Sequence, residues 1–248
     1  MSEPPDAEAA DARIVEQQIS YYRARAPEYD EWFFRHGRHD RGIEWNRAWF
    51  SEVEEVREEL SRFHPAGEVL ELACGTGLWT EQLARYADHI TAVDASPEVL
   101  KLNRDRLRDE RVRFVRADMF GWRPDVAYDV VFFGFWLSHV PPERFEEFWG
   151  LVGSTLKPGG RVFFVDSLRA ETPAEKNRRS APEDHMTLRK LNDGREFRIV
   201  KVFHDPEELS SRLHGLGWNV RVCTTENHLL YGFGEPSPRG RDSTATSS

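Results

Sequence analysis

The stretch Val69-Leu70-Glu71-Leu72-Ala73-Cys74-Gly75-Thr76-Gly77-Leu78-Trp79-Thr80 decides the fold. An apolar run reaches a carboxylate, crosses a loop of small residues with two glycines, and enters a helical pattern over Leu78–Tyr86. A strand-to-helix turn of this kind presents bare backbone N–H groups and the partly positive end of a helix to a ligand. A second run, His89-Ile90-Thr91-Ala92-Val93, ends at Asp94, nineteen residues beyond Gly75. An acid at an offset of ~20 residues meets a ribose in nucleotide-binding βαβ units.

Outward from this unit, strands and helices alternate. Strand 1 is read over Glu68–Leu72 and strand 2 over Ile90–Val93. Ser96-Pro97-Glu98 opens the next helix with a capping hydroxyl and a proline at its first position. Strands 3, 4 and 5 follow at Val112–Arg116, Tyr128–Phe133 and Arg161–Asp166, the last entered through the turn Lys157-Pro158-Gly159-Gly160. Strand 4 is apolar almost throughout, as a strand covered on both faces should be. Its helix turns Phe145, Phe148, Trp149 and Val152 inward. Asp205 and Glu208 stand at capping-box spacing for a helix through Leu213, and strands Asn219–Thr225 and Leu229–Phe233 close the pattern. Before the sheet, helices are predicted over Arg13–Ala26, stopped by Pro27, and over Ile43–Phe63, which carries Trp45, Trp49, Val53, Val56, Leu60 and Phe63 on one stripe. The fold class is therefore α/β, a doubly wound, mostly parallel sheet.

The ligand expected at the glycine loop is not a dinucleotide. A pyrophosphate site requires G-x-G-x-x-G, and Thr80 occupies the third glycine position. Glu71 would repel phosphate but suits an ammonium group. A ribose and an ammonium without phosphate describe S-adenosylmethionine (SAM), and at this point the chain resembles the class I SAM-dependent methyltransferases. The bland alternative is a tight strand–helix turn with no ligand. The resemblance implies a seven-stranded Rossmann-like sheet with N-terminal lid helices and a β-hairpin inserted after strand 5. It places the cofactor against Glu71, Ala73, Gly75 and Gly77 of the loop, Asp94 and Ala95 after strand 2, and Asp118 and Met119 after strand 3. Tyr22 on the lid, Trp79 and Phe135 complete the expected cofactor set.

Composition narrows the remaining classes. The chain has 248 residues, a net charge of −9 and 39% hydrophobic residues, which supports one large domain and argues against nucleic acid as a partner. The most apolar stretch, Val130–Leu137, is far below the ~20 residues that span a bilayer, so no membrane partner is expected. Cys74 and Cys223 lack metal-type spacing and read as packed thiols in a reducing compartment; no metal is expected and the expected location is cytoplasmic. Residues 1–12 and 235–248 read as disordered ends, 13–64 as a helical lid, 65–234 as the cofactor domain, and 170–204 as an acceptor-side loop and hairpin. A monomer or homodimer is expected.

The acceptor should sit beyond strand 4, where Phe135-Trp136-Leu137-Ser138-His139 offers two aromatics, a hydroxyl and an imidazole. His139 is a candidate general base or a structural histidine. Between Lys176 and Lys201 stand eight basic and four acidic residues, a net +4 in an acidic chain. These charges either guard an edge hairpin or meet an anion. A three-residue loop Asn192-Asp193-Gly194, with Gly194 left-handed, pairs Arg189 with Phe197 and puts Arg189 on the face of Ile199 and Lys201; a two-residue turn would put the two cations on opposite faces. Gln18–Ala26, Phe135–Val140 and Asp193–Phe203 resemble phosphonate O-methyltransferases of the dehydrophos antibiotic type. That resemblance implies a small acidic acceptor held by Arg189, Lys201 and a tyrosine whose position falls at His36, with Tyr29, Trp136 and His139 nearby. The open alternatives are an N- or C-methyltransferase of another small molecule and a non-catalytic SAM-binding module.

Overall fold

A computed structural model describes residues 7–169 and 185–237. The expected loop 170–183, the basic residues Lys176, Arg178 and Arg179, and residues 1–6 and 238–248 lie outside the described residues. Three helices precede the sheet: α1 (Ala7–Arg25), α2 (Tyr29–Phe33) and α3 (Ile43–Phe63). Helix α1 starts six residues before the predicted Arg13, so residues 7–12 continue the helix rather than forming a disordered end. The run Ala7-Glu8-Ala9-Ala10 is rich in good helix formers, which outweighs its low apolar content.

The strands are β1 (Glu68–Leu72), β2 (His89–Asp94), β3 (Val112–Arg116), β4 (Tyr128–Gly134), β5 (Leu156–Ser167), β6 (Met186–Lys190), β7 (Glu196–Val200), β8 (Trp218–Thr224) and β9 (Leu229–Pro236). Interleaved with them are α4 (Thr80–Leu83), α5 (Pro97–Leu107), α6 (Phe145–Thr155) and α7 (Pro206–Gly215). Seven strands form one sheet in the order β3-β2-β1-β4-β5-β9-β8, parallel except for β9 and its two neighbours' pairings; β6 and β7 form a separate hairpin. The strand order reverses between β1 and β4, which opens a ligand crevice at their carboxyl ends.

The two sheet faces bury different clusters. Val130 and Phe132 of β4 pack with α3 residues Val53, Val56 and Leu60, while Val131 and Phe133 pack with Phe148, Trp149 and Val152 of α6. Local caps match the expected chemistry: Ser96 Oγ accepts from Val99 N–H at 3.3 Å, and Asp205 Oδ1 accepts from Glu207 and Glu208 N–H at 2.9 and 3.0 Å. Two strand boundaries differ by more than one residue. Strand β5 begins at Leu156, beside Tyr128, and bulges through Lys157–Gly160 before Arg161 resumes opposite Val130. Strand β9 runs to Pro236, so Glu235 and Pro236 belong to the sheet, paired with Asn219 and Trp218, and not to a tail.

Candidate active site

The site is assembled at the carboxyl ends of β1, β2 and β4. After β1 the backbone turns left-handed at Ala73, Gly75 and Gly77, with φ of 53°, 52° and 92°. Cys74 N–H donates to Val93 O at 3.0 Å and Gly75 N–H to Asp94 Oδ2 at 3.0 Å, tying the loop to β2. Asp94 Oδ1 accepts from Ser96 N–H at 2.9 Å. Each Asp94 oxygen thus keeps acceptor capacity for a further donor such as a ribose hydroxyl.

Two neighbouring hollows that share wall residues open over this loop. The larger, about 670 Å3 counted out to its mouth, has walls from Tyr22, Tyr29, Ala73, Gly75, Asp94, Ala95, Asp118, Met119, Phe135 and Trp136. The smaller, about 320 Å3, is lined by Glu71 and Trp79 and shares Tyr29, Ala73 and Phe135 with the larger. All the expected cofactor residues except Gly77 therefore line one or other of these two hollows. Gly77 stands behind it: a Cβ there would run into the Asn103 amide, which donates to Thr80 Oγ1 at 2.8 Å. Its glycine is required by packing and by its positive φ.

Sequence reasoning missed Gln18, Ile19, Ser96 and Val99 in the larger hollow and Phe33 and Thr76 in the smaller. Gln18 lies one helical turn before Tyr22, and a glutamine within an apolar stripe was the available signal.

The walls are electrostatically one-sided. Glu71 is 1% exposed, its Oε2 has no partner, and burial, with Asp94 adding, pushes its pKa up to about 8. Burial also raises Asp94 to about 6. Among the described wall residues there is no lysine or arginine. A buried acid and a half-buried one around a roomy hollow fit a cationic ligand bearing a diol, as SAM is: Glu71 would take the ammonium and Asp94 the ribose.

The acceptor side is built on the short 3-10 turn Leu137–His139 after β4. Ser138 N–H and Oγ–H donate to Asp166 at 2.8 and 2.7 Å. His139 is 7% exposed and does not reach the cavity wall. Its Nδ1–H donates to Val200 O at 2.7 Å and its Nε2 accepts the Tyr22 hydroxyl at 2.8 Å. Burial, helped by Lys201, lowers its pKa to about 3. Both ring nitrogens are thus engaged within the protein, which favours the structural reading of His139 over the general base, and the ring orients Tyr22 from behind.

The hairpin has the expected three-residue loop. Gly194 has φ of 90°, Leu191 N–H donates to Arg195 O at 2.9 Å, and Arg189 pairs with Phe197. Arg189 thus shares a face with Ile199, and its charge acts on Tyr22, His139 and Lys201. Lys201 does meet an anion, but it is one of the chain's own. Its Nζ donates to Ser138 Oγ at 2.6 Å and stands 3.4 Å from Asp166 Oδ1.

His36 is not brought to the site. It is exposed and stacks on Phe34, 6.0 Å between centroids. The tryptophan-rich segment around it does form a structure. Arg35, 6% exposed, lies 3.5 Å from the ring centre of Trp49, with Trp45 and Trp32 beside it at 4.7 and 5.1 Å. Trp32 in turn packs edge-on against Phe135 at 4.8 Å, so this segment backs the cavity wall. The cap is stitched to the hairpin as well: Asn192 N–H donates to Glu28 at 2.9 Å, and Tyr21 packs with Leu191 and Ile199.

The seven-stranded sheet, the glycine loop and the acid after β2 define a SAM-dependent methyltransferase, and the chain belongs to the class I SAM-dependent methyltransferases. A family profile described as a methyltransferase domain matches residues 69–160. The solved DhpI–SAM–HEP complex is 43% identical, covering 90% of this chain and 98% of that one with a TM-score of 0.74. The DhpI–SAH complex is 41% identical over 91% and 98%, also at 0.74. Among curated relatives, demethylmenaquinone methyltransferase of Leptospira interrogans is 31% identical over 55% of this chain, and phosphoethanolamine N-methyltransferase 1 of Triticum aestivum is 34% identical over 40%. The matches span only 58% and 21% of those relatives' own lengths. SAM is the cofactor of this fold's solved neighbours and of this chain. Among the described residues no helix is long and apolar enough to cross a membrane.

Proposed function

We propose that the chain O-methylates an anionic oxygen, phosphonate or carboxylate, of a small metabolite. The observation that carries this reading is the hairpin register, which sets the exposed Arg189 on the face shared with Ile199, near enough for its charge to act on Tyr22. Lys201 and Asp166 neutralise each other, so the net positive charge offered to an acceptor comes from Arg189, with Lys201 contributing N–H donors rather than net charge. The 43% identity to the protein of the DhpI–SAM–HEP complex supports the same reading.

SAM supplies an electrophilic methyl on a sulfonium. The chain's task is to hold the acceptor oxygen close and in line, and such positioning is worth ~7–11 kcal/mol. Gln18, Tyr22 and Tyr29 close the cavity from the cap side and exclude water. An ionised acid needs no proton removed, which agrees with a His139 that stays neutral and serves to position the Tyr22 hydroxyl.

A screen for SAM consumption over small phosphonates, carboxylates, amines and phenols tests the reading. Turnover is expected with acids, and Arg189→Ala should raise KM for the acid while leaving SAM affinity unchanged. Turnover confined to amines or phenols overturns it.

A further inference from the structure

A buried charge is normally paired, because stripping water from an unpaired one is costly. The tryptophan-rich segment holds an exception beside the start of β9. Arg35 is buried, its Nε has no partner, and among the described residues no carboxylate pairs with its guanidinium. Trp45 and Trp49 stand almost parallel, 6.2 Å between ring centres and 6° apart, and the guanidinium lies against both. Stacking of this kind occupies the faces of the group and leaves its N–H edge, the part that meets an oxyanion, unsatisfied. The indoles offset part of the burial cost but offer no acceptor in the guanidinium plane. Arg35 is also left-handed, with φ of 57°, a region that favours glycine.

Two more donors meet at the same indole. The Arg41 guanidinium lies 5.1 Å and the His228 ring 4.4 Å from the Trp45 ring centre, against 4.7 Å for Arg35. His228 is buried and its Nε2 has no partner. The nearby acids are already spent. Glu52 accepts from His228 N–H at 2.7 Å, from Asn227 N–H and Nδ2 at 3.2 and 2.8 Å, and from the Thr225 hydroxyl. Those bonds pin the turn after β8 to α3 and so carry the His228 ring to Trp45. Asp40 turns its carboxylate to Gly42 N–H and the Asn46 amide, at 2.9 and 2.7 Å. Burial, with Arg41 adding, lowers the Arg35 pKa only to about 9, so the group stays charged at pH 7. Arg41 is exposed and Trp45 half-buried, which leaves the cluster open on that side.

The cluster is separate from the groups already described. Arg35, Arg41, Trp45, Trp49 and His228 line neither hollow, and the charges acting on His228 are those of Glu52, Arg35 and Arg41, not that of Arg189. We propose that Arg35, Arg41 and His228 form a second oxyanion site, built on the Trp45–Trp49 pair, that takes a small carboxylate or phosphoryl group. Trp49 packs on Arg35 and also stacks on the cavity residue Phe135, 6.3 Å between ring centres, so an ion held here sits within two rings of the cofactor hollow.

The probes are inorganic phosphate and acetate, each titrated by calorimetry into the full chain. Saturable binding of at least one is expected; tighter phosphate marks a phosphoryl group as the ligand, and tighter acetate a carboxylate. Arg35→Met should weaken binding at least ~tenfold, the loss expected for a charge-assisted contact. Arg41→Ala removes an exposed side chain, so its fold is not in question, and should weaken binding about three- to tenfold. Arg189→Ala should leave it within about twofold. Binding should also change the tryptophan emission, and Trp45→Phe should remove most of that change. Binding that survives Arg41→Ala and Arg35→Met but is lost in Arg189→Ala belongs to the acceptor side and overturns the proposal. No saturable binding of either ion at ~10 mM overturns it as well, and leaves the caged arginine a purely structural element.

Discussion

Cofactor binding should release about one proton at pH 7, and Glu71 is the reason. With its pKa near 8, Glu71 is about nine-tenths protonated in the ligand-free protein at pH 7; Asp94, near 6, is about one-tenth protonated. An ammonium and a ribose diol favour both carboxylates in their ionised forms. The two occupancies sum to roughly one proton lost on binding, and ionising Glu71 beforehand costs about 1.4 kcal/mol at this pH. Calorimetry in buffers of different ionisation enthalpy reads the number directly as the slope of observed enthalpy on buffer enthalpy. Glu71→Gln should cut the release to about a tenth of a proton, the share left to Asp94. The ligand's own amino group titrates near 8, so the difference between the two proteins, rather than either profile alone, is the decisive quantity. A release in Glu71→Gln equal to that of the parent protein would refute the assignment of Glu71 to the ammonium.

Glu71 also bears on stability. Its folded pKa lies above its ordinary value of 4.5, so its favourable contribution is complete below about 4.5 and is lost as pH rises through about 8. Glu71→Gln should therefore raise the ligand-free Tm at pH 8.5 while leaving it little changed at pH 5; a lower Tm at pH 8.5 counts against a buried carboxylate without a counter-charge. Asp94→Ala should weaken SAM more than tenfold, because two charge-assisted bonds at ~1.5–3 kcal/mol each are lost, and calorimetry showing full affinity would end the ribose assignment. Because His139 is held neutral down to about 3, the kcat/KM profile should lack an inflection near 6.5, and one that disappears in His139→Asn would restore it as a titrating base. Gly77→Ala must adopt a φ of 92° and press on Asn103, which should cost ~1–3 kcal/mol in denaturant unfolding; a neutral effect would refute the packing role.

What the chain's own order of residues determined is whatever neighbouring backbone settles. The limits of β1, β3 and α3, the Ser96 and Asp205 caps, and the three-residue hairpin loop were all legible. Each depends on side-chain alternation, helical period or one glycine's φ, and all of these act over a few residues. The helix after the glycine loop was overdrawn: α4 covers only Thr80–Leu83, and beyond it the hydrogen bonds from Arg85 and Tyr86 tighten to three-residue turns at Gln82 and Leu83.

Only the tertiary structure decided which charges face the cavity and which are spent. Lys201 looked available to a ligand until Asp166, 35 residues away, came within 3.4 Å of it. His139 stood open to a base or a structural role until Tyr22, 117 residues earlier, and the Val200 carbonyl took its two nitrogens. His36 fell in register with a binding tyrosine, yet the fold turns it to solvent beside Phe34. A titratable side chain's role depends on its counter-charge and its water, and both are set by contacts between residues far apart in the chain.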